Sequence, residues 1–340
     1  MFNTNMFSGK VIAITGGTGS FGKAFTRNLL AHHNPRKVVI ISRDELKQYE
    51  MAQEFNDSRL RFLIADVRDA ERIMFALRGI DFVIHAAALK QVPAAEYNPQ
   101  ECVKTNIVGA NNVISAALAN NVDKVIALST DKASSPINLY GATKLVSDKL
   151  FTAANNMRGD CRTLFAVVRY GNVACSRGSV IPFFEKLVAS GEQTLPITHL
   201  DMTRFLITLE QGVELVFKTF PRMHGGEIFV PKLPSVKIVD LAAVMLPKKR
   251  PEIIGIRPGE KLHEEMIPVE LACDTIEFDD FFTIKPSIRF FGSDIDYRIS
   301  GLGEKGELVD PGFCYQSGTN PYFLSRQEIS KLLGGLGVAA

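Results

Sequence analysis

The chain has few cysteines, no excess of charge of either sign and no long apolar run. Its five cysteines, Cys102, Cys161, Cys175, Cys273 and Cys314, are odd in number, and no two are spaced as a CxxC or metal-ligand pair. That argues against a disulfide framework and for reduced thiols in a reducing compartment. Lys and Arg number 39 against 37 Asp and Glu, a net charge of +2. A balance this even leaves no electrostatic footprint for nucleic acid or a membrane surface, although it permits a local pocket for a small anion. No apolar run reaches the roughly 20 residues that cross a bilayer. The first ten residues lack the basic-then-apolar order of a secretory signal. The expectation is a cytoplasmic protein. His199, His224 and His263 are not spaced as metal ligands, so no metal is expected. His263-Glu264-Glu265, expected on a helix, lacks the second histidine of a zinc-protease motif.

What is present is a regular alternation. Short β-branched runs at Val11–Thr15, Lys37–Ser42, Leu60–Ala65, Phe82–His85, Val125–Ser129 and Phe165–Arg169 read as strands. Helical spacing falls between them, at Phe21–His33, Glu71–Leu77, Pro99–Asn120 and Tyr140–Asn156. Continuous apolar strands separated by helices define βαβ units and a parallel sheet covered on both faces. The predicted fold is therefore α/β, a doubly wound parallel sheet of Rossmann type with a smaller C-terminal lobe. After Tyr170 glycine and proline become frequent and the alternation is lost. The expected division is a cofactor domain at 1–171, with some later segments returning to it. A substrate lobe follows at 172–290, then a peripheral segment at 291–340. The stretch Glu210–Lys218 is a helix expected to pack on the first domain.

The first strand runs into Gly16-Gly17-Thr18-Gly19-Ser20-Phe21-Gly22. Glycines between a strand and a helix allow a pyrophosphate to approach the backbone, and the helix N-terminus supplies N–H groups and a positive dipole end. Gly16, Thr18, Gly19, Ser20, Phe21 and Gly22 are therefore assigned to a dinucleotide. The second strand ends in Ser42-Arg43-Asp44, about 20 residues further on, where an acid grips a ribose 2′-hydroxyl and a base accommodates a 2′-phosphate. Arg43, helped by Lys47, favours NADP. Asp44 carries the competing reading, an NAD contact or a helix cap. Asp66 and Val67 are placed to meet the adenine, and Ala86 and Ala87 to offer small side chains against the cofactor.

Tyr140 and Lys144 stand at i and i+4 and project from one helical face. A neighbouring ammonium favours the phenolate over the phenol, whose ordinary pKa is about 10. Thr130-Asp131-Lys132 follows the fifth strand. Together with the glycine loop, these residues resemble the extended short-chain dehydrogenase/reductases that act on nucleotide sugars. The stretches HAAALKQVPAAEYNP, LSTDKA, NLYGATK, RYGNV, MTRF and IRPGEKLHEEM narrow the resemblance. They are similar to the family of configuration-inverting 4,6-dehydratases acting on UDP-N-acetylglucosamine at the first step of pseudaminic acid biosynthesis, an early stage of flagellin glycosylation. Retaining dehydratases of the superfamily carry Asp-Glu after the threonine, whereas here Lys132 occupies the Glu position. Tyr140 favours the pseudaminic branch over the capsule-pathway enzymes, which carry Met there.

The resemblance implies a lyase with internal redox. Oxidation at C4 makes the C5 proton acidic, the 6-hydroxyl leaves as water, and the hydride returns to C6. Tyr140 suits the C4-hydroxyl base, Lys132 the C5 base, and Asp131 the C6 acid, alone or shared with Tyr140. Working near pH 7 asks the lysine to fall by roughly 3 units from its ordinary 10.4. Burial beside a cationic ring favours that fall, and an ionised Asp131 opposes it. The resemblance further assigns Lys90, Asn172, Val173, Thr203, Arg204, Arg257 and Glu260 to the UDP-sugar. Arginine forks suit its diphosphate. It also implies a homo-oligomer, with a hexamer among the forms the resemblance suggests. The competing readings are a nucleotide-sugar 4-epimerase or reductase and a non-catalytic NADP-binding regulator. Asp131 and Lys132 oppose the first, and an intact Tyr140 and Lys144 oppose the second.

Overall fold

The structure is a computed structural model that describes residues 6–176, 178–247, 249–288 and 295–338. Its first half runs β1 (Val11–Thr15), α1 (Ser20–His32), β2 (Lys37–Ser42), α2 (Glu45–Phe55), β3 (Leu60–Ile64), α3 (Ala70–Ala76) and β4 (Phe82–His85). There follow α4 (Val92–Tyr97), α5 (Pro99–Val103), α6 (Gly109–Ala119), β5 (Lys124–Thr130), α7 (Leu139–Ala154) and β6 (Leu164–Tyr170). The six strands are parallel neighbours in the order β3-β2-β1-β4-β5-β6. Every residue of β1 and β4 is buried, as a sheet covered on both faces demands. The strand order reverses between β1 and β4, and the crevice outside the strand C-termini at such a switch point is where these sheets bind ligands.

The second half weaves around that sheet. It contains β7 (Asn172–Val173), α8 (Val180–Ala189), β8 (Pro196–Ile197), β9 (Thr203–Ile207), α9 (Leu209–Arg222) and β10 (Ile228–Pro231). Strand β10 extends the sheet parallel to β6, and the antiparallel strands Phe281–Ile284 and Thr275–Glu277 continue it. Helix α9 opens on a reciprocal Thr208–Gln211 capping box and lies against α1, where the rings of Phe25 and Phe217 stack at 4.2 Å. A second hydrophobic core gathers Ile181, Phe184, Leu206, Val236, Leu241 and Met245. Helix Arg326–Gly335 adds Ile329 and Leu333 to it, both without exposure. Among the described residues no helix is long and apolar enough to cross a membrane.

The expected single helix Pro99–Asn120 is interrupted. Between α5 and α6 the turn Lys104–Val108 widens to a π-helix without breaking the rod. Such widened turns are rare and gather at functional sites.

Candidate active site

A cleft of about 740 Å³ opens over the C-terminal ends of β1 to β6. Its floor at β1 is the glycine turn. Gly16 has φ +66°, and a Cβ there would sit 2.9 Å from the backbone of Ala87. A Cβ on Gly22 would strike the carbonyl of Gly17. Only glycine lets α1 begin so close to β1. The N-cap of α1 is Gly19, which offers no side-chain cap, so the first N–H groups of the helix face the cleft. Thr18 Oγ1 lies 3.0 Å from Ser42 Oγ and ties this turn to the end of β2.

Gly16, Thr18, Gly19, Ser20, Phe21 and Gly22 all line the cleft, as do Ser42, Arg43, Asp44, Lys47, Asp66, Val67, Ala86, Ala87 and Lys90. A cradle that a Cβ would fill, open helix N–H groups and a wall of alanines fit a dinucleotide. Asp44 takes the cap position of α2: its carboxylate accepts from the Lys47 N–H at 3.0 Å and pairs with Lys47 Nζ at 2.6 Å. Lys47 is thus engaged by Asp44, while Arg43 lies exposed at the cleft. Asp66 is bound by the Arg68 guanidinium at 2.7 Å, which with its hydrogen bonds outweighs burial and keeps the carboxyl below its ordinary range.

At the other end of the cleft stand Thr130, Asp131, Lys132, Tyr140 and Lys144. Strand β5 ends in a 3-10 turn, Asp131–Ala133, which the Thr130 hydroxyl caps through the Lys132 N–H. Helix α7 starts on Asn138, whose side chain accepts from the Gly141 N–H at 2.8 Å. A Cβ on Gly141 would meet the Lys132 carbonyl, so glycine is what lets the Tyr140 helix pack against the Lys132 turn. Lys144 donates to the Leu128 carbonyl at 2.7 Å. Burial lowers its pKa, against the opposing charge of Asp148. Burial pushes Tyr140 up to about 12, against the contrary pull of Lys132 and the Thr130 hydroxyl.

Lys132 stands between two carboxyl groups. Lys132 Nζ lies 3.1 Å from Asp131 Oδ1, 3.0 Å from Glu264 Oε1 and 3.4 Å from Asn172 Oδ1. Burial alone would lower its pKa, but the two carboxyl groups outweigh burial and raise it. Asp131 is fully buried, and burial raises its pKa despite the ammonium beside it.

The structure separates the residues expected at the sugar nucleotide. Lys90, Asn172 and Val173 line the cleft. Burial and the like charge of Lys132 lower the Lys90 pKa. Arg204 stands behind Lys132, with Nη2 3.4 Å from Glu260 Oε1 and Nε 3.7 Å from Glu264 Oε1. Thr203 is buried on the far side, where its hydroxyl meets His263 Nδ1 at 2.8 Å and Ser317 Oγ at 2.7 Å. Arg257 is exposed and does not line the cleft. Its loop is nevertheless fixed beside α7, because Asn138 Nδ2 donates to the Gly259 carbonyl at 2.8 Å. No group of His, Cys, Asp or Glu among the described residues is arranged to hold a metal.

Sequence reasoning missed Glu264 as a site residue. His263-Glu264-Glu265 is not helical: Glu265–Ile267 is a short strand paired with Tyr315–Gln316, and the loop before it delivers Glu264 to Lys132. Strand pairing with a distant segment overrides the local helical pattern. Asn106 was missed as well. It sits in the π-turn, accepts from the Leu89 N–H at 2.8 Å and donates to the Leu89 carbonyl at 2.9 Å. It thereby pins the cleft loop after β4. The one available signal was its place one helical turn after Cys102, on a face that packs inward.

The fold and cleft are those of an extended short-chain dehydrogenase/reductase. Residues 12–286 match the family described as polysaccharide biosynthesis protein, and the chain belongs to that family. It is 58% identical, over 96% of its length and 98% of the relative, to a UDP-N-acetylglucosamine 4,6-dehydratase (inverting) of Campylobacter jejuni. A UDP-glucose 4-epimerase of Rickettsia massiliae is 43% identical over 96% of each chain. The X-ray structure of Pen from Bacillus thuringiensis superposes with a TM-score of 0.88 at 36% identity, covering 98% of this chain and 100% of that one.

Proposed function

We propose that this chain is an inverting UDP-N-acetylglucosamine 4,6-dehydratase that uses NADP. The observation that carries the reading is the pair of buried Asp131 and half-buried Lys132, set beside Tyr140 in the same cleft as the dinucleotide cradle. When bound, the nicotinamide dinucleotide supplies hydride acceptance and return. The protein supplies the proton transfers. Tyr140 takes the proton of the C4 hydroxyl, assisted by Lys144 one helical turn away. With C4 a ketone, Lys132 takes the C5 proton and the electron pair moves toward the carbonyl. Asp131 gives a proton to the 6-hydroxyl, the C6–O bond breaks, water leaves, and a C5=C6 double bond forms. Proton delivery to C5 completes the protein's part, and the product of the sequence would be UDP-2-acetamido-2,6-dideoxy-β-L-arabino-hexos-4-ulose.

Arg43, exposed where a 2′-phosphate would lie, supports NADP, and Asp44 serves as the cap of α2. Lys90, Asn172, Val173 and Arg204 bind the UDP-sugar in this reading. Glu260 and Arg257 hold the adjacent loop. The same reading includes a cytoplasmic homo-oligomer at the head of pseudaminic acid synthesis, supported by the resemblance of the motifs.

The epimerase relative favours a second reading, 4-epimerisation of a UDP-sugar on the same scaffold. Incubation with UDP-N-acetylglucosamine in D₂O separates the two. Dehydration yields a product lighter by one water that carries deuterium at C5, and C5 coupling constants report inversion. A product of unchanged mass with C4 inverted replaces the dehydratase reading with the epimerase one.

A further inference from the structure

Lys132 cannot act as a base while it is an ammonium, and Asp131 cannot act as an acid while it is a carboxylate. Two carboxyl groups flank the one ammonium at nearly equal distances, 3.1 Å for Asp131 and 3.0 Å for Glu264. Their surroundings differ. Glu264 also faces the Arg204 guanidinium at 3.7 Å, and its backbone N–H is held by Ser317 Oγ at 2.9 Å. Among the described residues Asp131 forms a salt bridge with Lys132 alone, and its Oδ1 accepts from the Thr130 hydroxyl at 2.9 Å. Both side chains are almost wholly buried, with side-chain exposures of 1% and 2%. Asp131 Oδ2 and Glu264 Oε2 have no hydrogen-bond partner among the described residues.

We propose that Glu264 is a positioning residue for the elimination: it is the proton partner of Lys132, and it carries the negative charge that balances the ammonium so that Asp131 keeps a proton. This rests on the dehydratase reading above. Lys132 alone cannot neutralise both carboxylates, and Arg204 is shared between Glu264 and Glu260, so two buried anions here would leave uncompensated charge in a site of low dielectric, and a group so placed takes up a proton instead. The second cation, Arg204, decides which carboxyl stays ionised. The other charged and titratable groups around the cluster are Lys90 after β4, Tyr140 on α7, Glu260 and Lys261 on the loop before Glu264, and Glu265 after it. Lys261 is turned to the Ser134 carbonyl at 2.7 Å, and Glu265 accepts from Ser135 Oγ at 2.7 Å. The directions of proton affinity agree: burial raises Asp131, while Lys132 and Arg204 outweigh burial and lower Glu264.

The proton inventory closes. In an uphill step, against the raised proton affinity of Lys132 and the lowered one of Glu264, the ammonium passes a proton to the Glu264 carboxylate, leaving a neutral amine and a neutral carboxylic acid. The amine takes the C5 proton and becomes an ammonium again, while Asp131 gives its proton to the departing hydroxyl and becomes a carboxylate. Lys132 touches both carboxyl groups, so it passes a proton to Asp131 and takes one back from Glu264. That restores the resting state without an outside donor.

The test is infrared spectroscopy of the substrate-free protein beside kinetics. The native spectrum should contain a neutral-carboxyl stretch that Asp131→Asn removes. Glu264→Gln should abolish that stretch, because Asp131 becomes the sole counter-ion and ionises. It should lower kcat on the order of 100-fold, the scale of a lost general acid, with KM for the UDP-sugar within about threefold. The alkaline limb of its pH profile should move to lower pH, since the acid now loses its proton earlier. Glu264→Asp, which keeps the charge, should retain the stretch and recover most of kcat. A native spectrum lacking the Asp131 stretch overturns the inference, as does its persistence in Glu264→Gln or an unchanged kcat there. If the Gln variant does not fold, a Glu264→Asp protein that folds but has lost the stretch is equally decisive against it. Failure of the native enzyme to dehydrate UDP-N-acetylglucosamine sinks the functional reading instead, while the substrate-free spectra still report the ionisation.

Discussion

His85 is a titratable side chain that the chemistry leaves aside. It ends β4, is 1% exposed, and shares a 2.8 Å hydrogen bond between Nδ1 and Thr15 Oγ1. Burial first, then the charge of Lys144, lowers its pKa from 6.5 to about 3. The folded state therefore resists a proton that the unfolded chain accepts near pH 6.5. Stability from this residue is complete above that pH and is lost as pH falls toward about 3. Over the whole window the loss is on the order of 4–5 kcal/mol, at about 1.4 kcal/mol per unit. Chemical denaturation between pH 7 and 4 should show this slope in the native protein. His85→Asn, which keeps a group able to bond Thr15 but does not titrate in that range, should flatten it by about 3–4 kcal/mol across that range; equal slopes would remove His85 from the acid response. The residue scale also shows what the sequence left out around the lysine. Asp131, the larger of the two coulombic influences that raise its proton affinity, is adjacent in the chain and was visible, whereas Glu264, which adds to it, is remote in sequence.

At the scale of elements, the parallel half of the sheet was legible because each buried strand is a short β-branched run closed by glycine or a polar residue. The glycine loop and the Tyr140–Lys144 helix were legible for a related reason: their spacing is local. Helix α2 gave no such signal, since among its eleven residues only Gln48 and Met51 are buried. The antiparallel strands beyond β10 were hidden as well, being three or four residues long and paired with segments far away in the chain. The π-turn was invisible for another reason. It changes one hydrogen-bond register and leaves the apolar pattern intact. Its purpose is the placement of Asn106, which holds both backbone groups of Leu89 and reaches Thr143 Oγ1 at 3.0 Å on α7. Asn106→Ala should cost about 2–3 kcal/mol, since it removes several bonds and strands buried polar groups. It should also raise KM for the UDP-sugar, because the loop it pins carries Lys90 and Gln91 into the cleft. Urea unfolding and steady-state kinetics check the two effects, and stability lost without a change in KM would make the turn a packing device alone.

For the whole molecule, the two larger hydrophobic cores divide the labour. One lies around the parallel sheet and anchors β1, β5 and, through Phe151 and Ala154, the Tyr140 helix, while Tyr140 itself packs with Ala95 and Cys102. The other underlies β9 and α8 and draws Ile329 and Leu333 from near the end of the chain. Arg204, on β9, joins the two, since it belongs to a strand of the second unit and acts on Lys132 through Glu264. Loosening the second core should therefore disturb the sugar end of the cleft and spare the dinucleotide end. Leu333→Ala is the direct probe, because Leu333 is fully buried and its truncation should cost about 2–5 kcal/mol. The expected result is weakened UDP-sugar binding with dinucleotide affinity unchanged, read by calorimetric titration of each ligand separately. The glycine turn is packed by Ala86 and Ala87 after β4 and by Ile40 of the first core's sheet, so an equal loss of both affinities would mean that the cores unfold as one cooperative unit and that the cleft has no independent halves.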